Sequence, residues 1–365
     1  MKITCQTSAL HDGFQIVGSI VQQRPTRPIL STVLMVARDG KLELHATDLE
    51  IGIRLEVPGV EVEEEGEIAI SQSRVASILR ETADEAVSLS TDNQHCIITA
   101  SDSVYRLPIE AADEFPEIPM FDEGNAYDLD RGDLVEMVSK TNFAAHRGKH
   151  RYALNGVLIE IKPKHVVMVA TDGRRLAHIE KRGKYGDEAD ESVIVPTKAL
   201  DQIIKVLTDE DETIHLNILE NQIVAKTRRA AVSTRLVEGH FPPYDSVIPK
   251  DCDKKLDINR EAFHSAVRRA ALLTSEESSA VFLTFSEGKM VVTAAAPETG
   301  EATVELAVDY SGPETELGFN PEFLTDLFRA LEDETIRIEF RDAACAGLFR
   351  AGKDFLYVVM PVSRE

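Results

Sequence analysis

The chain has 365 residues, 43% of them hydrophobic and 28% charged, which suits a folded protein and excludes a disordered one. That length accommodates about two to four domains. With 40 Lys and Arg against 63 Asp and Glu, the net charge of −23 repels phosphate backbones at long range and, as composition, argues against a nucleic-acid binder.

From the N-terminus, Phe14, Val17, Ile20 and Val21 recur at helical spacing. Residues 33–36 and 42–47 are short apolar runs about Asp39-Gly40, the pattern of a β-hairpin. The acidic stretch 61–67 reads as a solvated loop. Val75, Ile78 and Leu79 predict a helix after Ser71, a plausible N-cap. Residues 121–125, polar and rich in turn formers, mark a seam. The pattern then returns, with a helix carrying Leu134, Met137 and Val138 and a hairpin of 157–159 and 166–171 about Pro163-Lys164. Leu200, Ile203, Ile204 and Leu207 form a further helical stripe after Pro196. A second seam falls at 249–253. Beyond it come a helix with Phe263, Ala266, Val267 and Ala270 and a hairpin of 281–283 and 290–294 about Glu287-Gly288. The last helix has Phe323, Leu324, Leu327, Phe328 and Leu331 behind Asn320-Pro321, an N-cap with Pro at the first helical position.

Leu79, Ile203 and Leu327 are 124 residues apart, and the hairpins keep the same offset. A unit of that size can own a core. The fold class is therefore α+β, as three similar tandem domains of two helices and antiparallel sheets each. Their expected boundaries are 1–122, 123–250 and 251–365.

No chemical centre accompanies this organisation. No apolar run approaches the ~18 residues of a membrane span, and the start has Lys2 but no apolar core of a secretory signal. Cysteines 5, 96, 252 and 345 are too dispersed for a zinc site or a disulfide framework and read as ordinary thiols of a reducing cytosol. None of the ten histidines sits in a metal-ligand pattern, and nucleotide-binding and nucleophile motifs are missing. Thr171-Asp172-Gly173 near His178 is better read as a turn than as a catalytic pair. No catalytic residue, metal or cofactor is assigned.

Positive charge nevertheless gathers at repeated places. Arg24 and Arg27 follow the first helix, and Arg147, Lys149 and Arg151 occupy the corresponding segment of the second repeat. In the third the charge moves back to Arg268-Arg269. Lys198, Lys205 and Arg329 lie on the second helices. The set suggests one basic face on an acidic body, sufficient for phosphate contacts without sequence readout.

Seven stretches carry a family resemblance: residues 24–30 (RPTRPIL), 46–50 (ATDLE), 151–157 (RYALNGV), 170–177 (ATDGRRLA), 238–244 (EGHFPPY), 318–321 (GFNP) and 357–362 (YVVMPV). In this order and spacing the chain closely resembles the bacterial DNA polymerase III beta subunit, the DNA sliding clamp, over its full length. The resemblance implies a non-catalytic, cytoplasmic and nucleoid-associated processivity subunit with domains of the DNA-clamp type. It implies a homodimer closed head to tail into a ring, with Leu272 and Leu273 at the interface and edge strands near 97–107 and 299–307 pairing. The ring would encircle duplex DNA without sequence preference. Arg24, Tyr152 and Lys198 are carried over as DNA contacts, and Arg147, Lys149 and Arg151 are added from their basic segment. A cleft of Leu154, Thr171, Gly173, Arg174, Arg175, Leu176, Pro242, Val247, Val358, Met360, Pro361 and Val362 would receive a short peptide motif from the replicative polymerase, the clamp loader and repair polymerases. Arg174 stands where His is common in the family, Ser246 where a basic residue is frequent, and Ala153 where a second aromatic often follows. The rival readings are an α+β enzyme of unknown reaction and a clamp-like adaptor that binds proteins but not DNA.

Overall fold

Three helices begin on the same backbone hydrogen bond. Thr7 N–H donates to Glu85 O at 2.9 Å, Arg131 N–H to Glu212 O at 3.0 Å, and Arg260 N–H to Glu334 O at 2.8 Å. These are the first residues of α1 (Thr7–Gly18), α3 (Arg131–Thr141) and α5 (Arg260–Ala271). The second helix of each repeat is α2 (Gln72–Glu81), α4 (Thr197–Val206) or α6 (Pro321–Ala330). The computed structural model describes residues 1–22, 24–92, 94–148, 152–275 and 280–363. Among them, no helix is long and apolar enough to cross a membrane.

The helices follow the predicted stripes closely. Leu10, Phe14 and Val17 of α1 and Val75 and Leu79 of α2 are buried where the two helices pack. Gln72 Nε2 donates to Phe14 O at 3.0 Å across that contact. A Cβ on Gly18 would lie 2.1 Å from the same amide, so glycine lets the helices approach. In the third repeat Phe263 of α5 meets Phe328 of α6 edge-on, with ring centroids 4.9 Å apart. Asn320 caps α6 as predicted, its Oδ1 accepting Glu322 N–H at 2.8 Å. Ser71 sits at the N-cap of α2, but its side chain makes no capping bond. The first helix ends at Gly18, short of Ile20 and Val21, although Ile20 is still buried.

The chain packs as two compact units, Met1–Gly132 with Lys198–Leu236, and Asp133–Thr197 with the residues from Val237 onward. Each unit thus takes half of the second repeat. In the first unit thirteen strands form one sheet. Its junction between repeats is the strand Ala230–Arg235 running antiparallel to Ile51–Val57, with Ala230 opposite Leu55 and Thr234 opposite Ile51. In the second unit an eight-stranded sheet has the equivalent junction, Phe355–Val359 against Arg175–Arg182, with Phe355 opposite Ile179. A separate four-stranded sheet completes the third repeat.

One expectation fails here. The acidic stretch 61–67 is not a loop: it contributes the strand Val60–Glu64 and the start of Gly66–Ser71. Val60–Glu64 pairs with Lys2–Gln6 at the outer edge of the thirteen-stranded sheet. Charged side chains are compatible with a strand there, and they keep its free edge from pairing with another chain.

The repeat also defines two unfilled edges. The counterpart of Ile51–Val57 and Arg175–Arg182 in the third repeat is Gly300–Ala307, whose sole pairing among the described residues is with Lys289–Ala296. The counterpart of Ala230–Arg235 in the first repeat is Val104–Glu110. Among the described residues it pairs with His95–Thr99 and, on its other side, only through Ile109 and Glu110.

Candidate partner cleft and DNA-facing residues

The cleft is built on a turn that fixes its own backbone. After the strand His165–Thr171 the chain reverses through Asp172, Gly173 and Arg174 into Arg175–Arg182. Asp172 Oδ1 accepts the N–H groups of Arg174 and Arg175 at 2.9 and 3.0 Å. Thr171 Oγ1 accepts Gly173 N–H at 3.1 Å and donates to Arg175 O at 2.6 Å. Gly173 takes a φ of 89°, a conformation that strains other residues. The C-terminal tail docks on this turn: Met360 N–H donates to Arg174 O at 2.8 Å.

Together these segments enclose a cleft of about 190 Å³. The structure brings Leu154, Thr171, Gly173, Arg174, Arg175, Leu176, Pro242, Val247, Val358 and Met360 around it. Pro361 and Val362 are not in the lining, and Val362 N–H is turned to Gly318 O at 2.8 Å. Pro243 and Tyr244, which lie in the 238–244 stretch but outside the expected cleft set, join the wall. The Tyr244 phenol donates to Glu160 Oε2 at 2.7 Å, and that partnered hydroxyl lets the ring remain beside an apolar surface. Below lies a core of Leu158, Val167, Val169, Leu176, Ile194, Leu348 and Val358. Val247 and Met360 are half exposed, at 50% and 49%, so apolar surface remains open to a ligand.

Two charged groups at the cleft have different roles. Arg174 is exposed at the rim. The Arg175 guanidinium is directed inward, donating to Asp172 Oδ2 at 3.1 Å, Asp326 Oδ2 at 2.7 Å and Phe143 O at 2.9 Å, over the ring of Phe323. Its side chain is only 10% exposed. Removing one partner of a buried pair strands the other charge, at about 3–5 kcal/mol. Arg175→Met is therefore expected to lower unfolding free energy by about 3 kcal/mol in urea titration; a loss below about 1 kcal/mol would show that this network is not structural.

His178 and Asp172 do not form a catalytic pair. The His178 ring lies against Tyr244, with centroids 5.7 Å apart, and burial pushes its pKa below the usual value. Asp172 is occupied by its own turn and by Arg175. Among the described residues no three His, Cys, Asp or Glu side chains converge as metal ligands.

Of the predicted DNA contacts, Arg24 and Arg147 are exposed. Lys198 stands on α4, where Nζ lies 2.7 Å from Asp48 Oδ2. Lys149, Arg151 and the side chain of Tyr152 lie outside the described residues. Leu272 follows α5 with 77% of its surface exposed, and Leu273 is half buried beside it, its carbonyl accepting Thr299 Oγ1 at 2.8 Å.

Comparison with known proteins decides what these features belong to. Sequence profiles of the DNA polymerase III beta subunit match in order, with the N-terminal domain over residues 1–119, the central domain over 128–243 and the C-terminal domain over 245–363. The chain belongs to the DNA polymerase III beta subunit family. The beta sliding clamp of Pseudomonas putida is 32% identical, covering 99% of this chain and 100% of the relative. That of Chlamydia pneumoniae is 31% identical, covering 99% of each. The crystal structure of a sliding clamp from Pseudomonas aeruginosa bound to griselimycin matches with a TM-score of 0.94 at 30% identity, over 100% of both chains. A Bacillus subtilis sliding clamp matches with a TM-score of 0.95 at 27% identity, again over 100% of both. DNA sliding-clamp function, three tandem clamp domains and a non-catalytic role come with this membership.

In this chain the junction of the first two repeats is filled. Gly52 is the counterpart of Leu176, and a Cβ on it would stand 2.7 Å from Ile118 Cγ2. Ile118, the counterpart of Pro242, is 3% exposed. Leu49 occupies the place of Gly173 and keeps a positive φ of 77°.

Proposed function

We propose that two copies of the chain close head to tail into a ring of six repeats that encircles duplex DNA. The observation that supports this reading is the pair of unfilled edges. Both internal junctions use one strand pairing, and each end of the array offers one half of it. The register carries over from the first junction, where Ala230 faces Leu55. Ser103 is the counterpart of Ala230, since Ala100 N–H donates to Ser103 O as Thr227 N–H does to Ala230 O. Val304 is the counterpart of Leu55. Ser103 of one copy thus faces Val304 of the other, Val104 faces Thr303, and Arg106 faces Glu301. Val104 and Leu272, exposed at 67% and 77%, would be covered. The domain limits 1–122, 123–250 and 251–365 remain our assignment of the three modules.

The net charge is compatible with such a ring. Enclosure retains the DNA, so the inner contacts need only be weak, while an acidic exterior keeps other phosphates away. We assign inner contacts to Arg24, Arg147, Lys149, Arg151, Tyr152 and Lys198, and a nucleoid-associated cytoplasmic location follows from the partner. Replacing Arg24 and Lys149 by Ala should weaken binding on all duplex sequences alike. It should also reduce the slope of log affinity against log salt by about 2. A loss confined to particular sequences would contradict backbone contact. Asp48 offers a gain-of-binding counterpart. Its Oδ1 holds Glu50 and Ile51 N–H while Oδ2 holds Lys198, so Asp48→Asn keeps the turn and frees the lysine. Affinity at low salt should rise up to about five-fold; unchanged affinity would remove Lys198 from the DNA-facing set.

The open cleft is assigned to short apolar peptide segments of the replicative polymerase, the clamp loader and repair polymerases, which would occupy it one at a time. Apolar anchors in a half-exposed pocket support this reading.

A further inference from the structure

We propose that Cys252 and Cys345 are a redox pair that closes to a disulfide at the entrance to the third repeat. Strand pairing brings these distant residues together. Lys254 opens the strand Lys254–Asn259 directly opposite Phe340, and its Nζ donates to Arg341 O at 2.5 Å. Continuing that antiparallel register outward sets Asp253 across from Arg341 and Cys252 across from Asp342. From the other side the chain turns Cys345 back to the same place, its N–H donating to Asp342 O at 3.3 Å. Cys252 and Cys345 are half buried, whereas Cys5 and Cys96 are buried.

The surroundings suit thiol–disulfide exchange. Arg341 Nη2 donates to Cys345 Sγ at 2.8 Å while its Nε donates to Asp342 Oδ2 at 2.9 Å, and the Asp342 carboxylate also hydrogen-bonds the thiol, so the sulfur is held in place between a guanidinium and a carboxylate. Burial, reinforced by Glu339, pushes the Cys252 thiol up, so Cys252 is the second thiol to react. With glutathione disulfide as oxidant, the Cys345 sulfur attacks one glutathione sulfur, the S–S bond breaks, and one glutathione leaves as thiolate. Cys252 then attacks the Cys345 sulfur of the mixed disulfide and releases the second glutathione. The protein loses two protons and two electrons, and the oxidant becomes two thiols.

The location gives the bond a consequence. Val247 in the cleft wall and Ile248 against its core lie just upstream of Cys252, and Ala346 against that core and Leu348 within it lie just downstream of Cys345. Closing the pair ties these two segments together.

The test treats the native chain with excess glutathione disulfide, quenches with N-ethylmaleimide, and reads intact mass and a peptide map without reductant. The chain should lose two hydrogens, yield one linked peptide pair joining Cys252 to Cys345, and leave Cys5 and Cys96 free for alkylation after denaturation. Dithiothreitol should reverse the change. Cys345→Ser should remove the link, and Arg341→Met should slow closure several-fold while giving the same product and unchanged circular dichroism. Glutathione retained on either cysteine without the link, a link through another pair, or four thiols still free would overturn the proposal.

Discussion

Leu272→Asp is expected to convert the proposed ring into folded monomers. Leu272 is 77% exposed in a single copy and caps α5 without contributing to the buried stripe of Phe263, Ala266, Val267 and Ala270. Its removal should therefore spare the repeat. At a closed interface its burial is worth about 1.5–3 kcal/mol, and a carboxylate there adds a desolvation cost of several kcal/mol. Light scattering should give a particle of 40.4 kDa for the variant and twice that mass for the parent. A dimer persisting at nanomolar concentration would place the contact elsewhere. The register gives a second, independent check. Arg106→Glu or Glu301→Arg alone sets like charges opposite each other and should weaken association up to about five-fold, while the two together should restore it. Arg106 also pairs with Asp92 at 2.5 Å within its own copy, so recovery is expected to be incomplete.

How much of this was legible in the sequence depended on the range of the interaction. The helix stripes and hairpins repeat every 124 residues because local burial dictates period 3.6 or 2, and the observed cores follow them. Strand pairing between repeats leaves no such local trace. The residues alone do not announce that Ala230 faces Leu55, nor that Gly300–Ala307 lacks an equivalent partner among the described residues. Residues 61–67 misled because acidic side chains signal solvent equally well on a loop and on an edge strand. Cys252 and Cys345 looked dispersed because the pairing of Lys254 with Phe340, which joins the segments that carry them, leaves no mark in the sequence.

The proposed partner cleft was partly legible for the same reason. Gly173, Arg174 and Met360 sit in short motifs, which is how the resemblance named them. Tyr244 carried its own signal, an aromatic after Pro242-Pro243 in a strand-free segment, but nothing local indicated that Glu160 would hold its hydroxyl. Equally, the filling of the first junction rests on Gly52 and Ile118, which are far apart in sequence and meet only after folding.

Deleting residues 360–365 is expected to abolish polymerase stimulation while leaving the proposed ring closed. The strand Phe355–Val359 ends before the deletion, and Phe355, Tyr357, Val358 and Val359 are buried and paired with Arg175–Arg182. What is lost is the Met360 wall and two backbone bonds, to Arg174 O and Gly318 O. The edges proposed for dimer closure, Val104–Glu110 and Gly300–Ala307, are untouched. Binding energy in a pocket of this kind concentrates in a few apolar anchors, each worth about 2 kcal/mol or more. Met360→Ala should accordingly weaken a fluorescent polymerase-tail peptide by about thirty-fold, and the deletion should bring binding below detection. Methionine suits this position because its flexible thioether can follow peptides of differing shape. Met360→Leu keeps the bulk but not that adaptability, so it should spare some peptides and penalise others. The decisive comparison uses the deletion at full dimer mass with unchanged circular dichroism. Polymerase binding retained in that protein would move the partner site away from the cleft, whereas its loss together with loss of loader binding, in a ring that still holds DNA when assembled around it, would support the tail as the anchor that the polymerase grips.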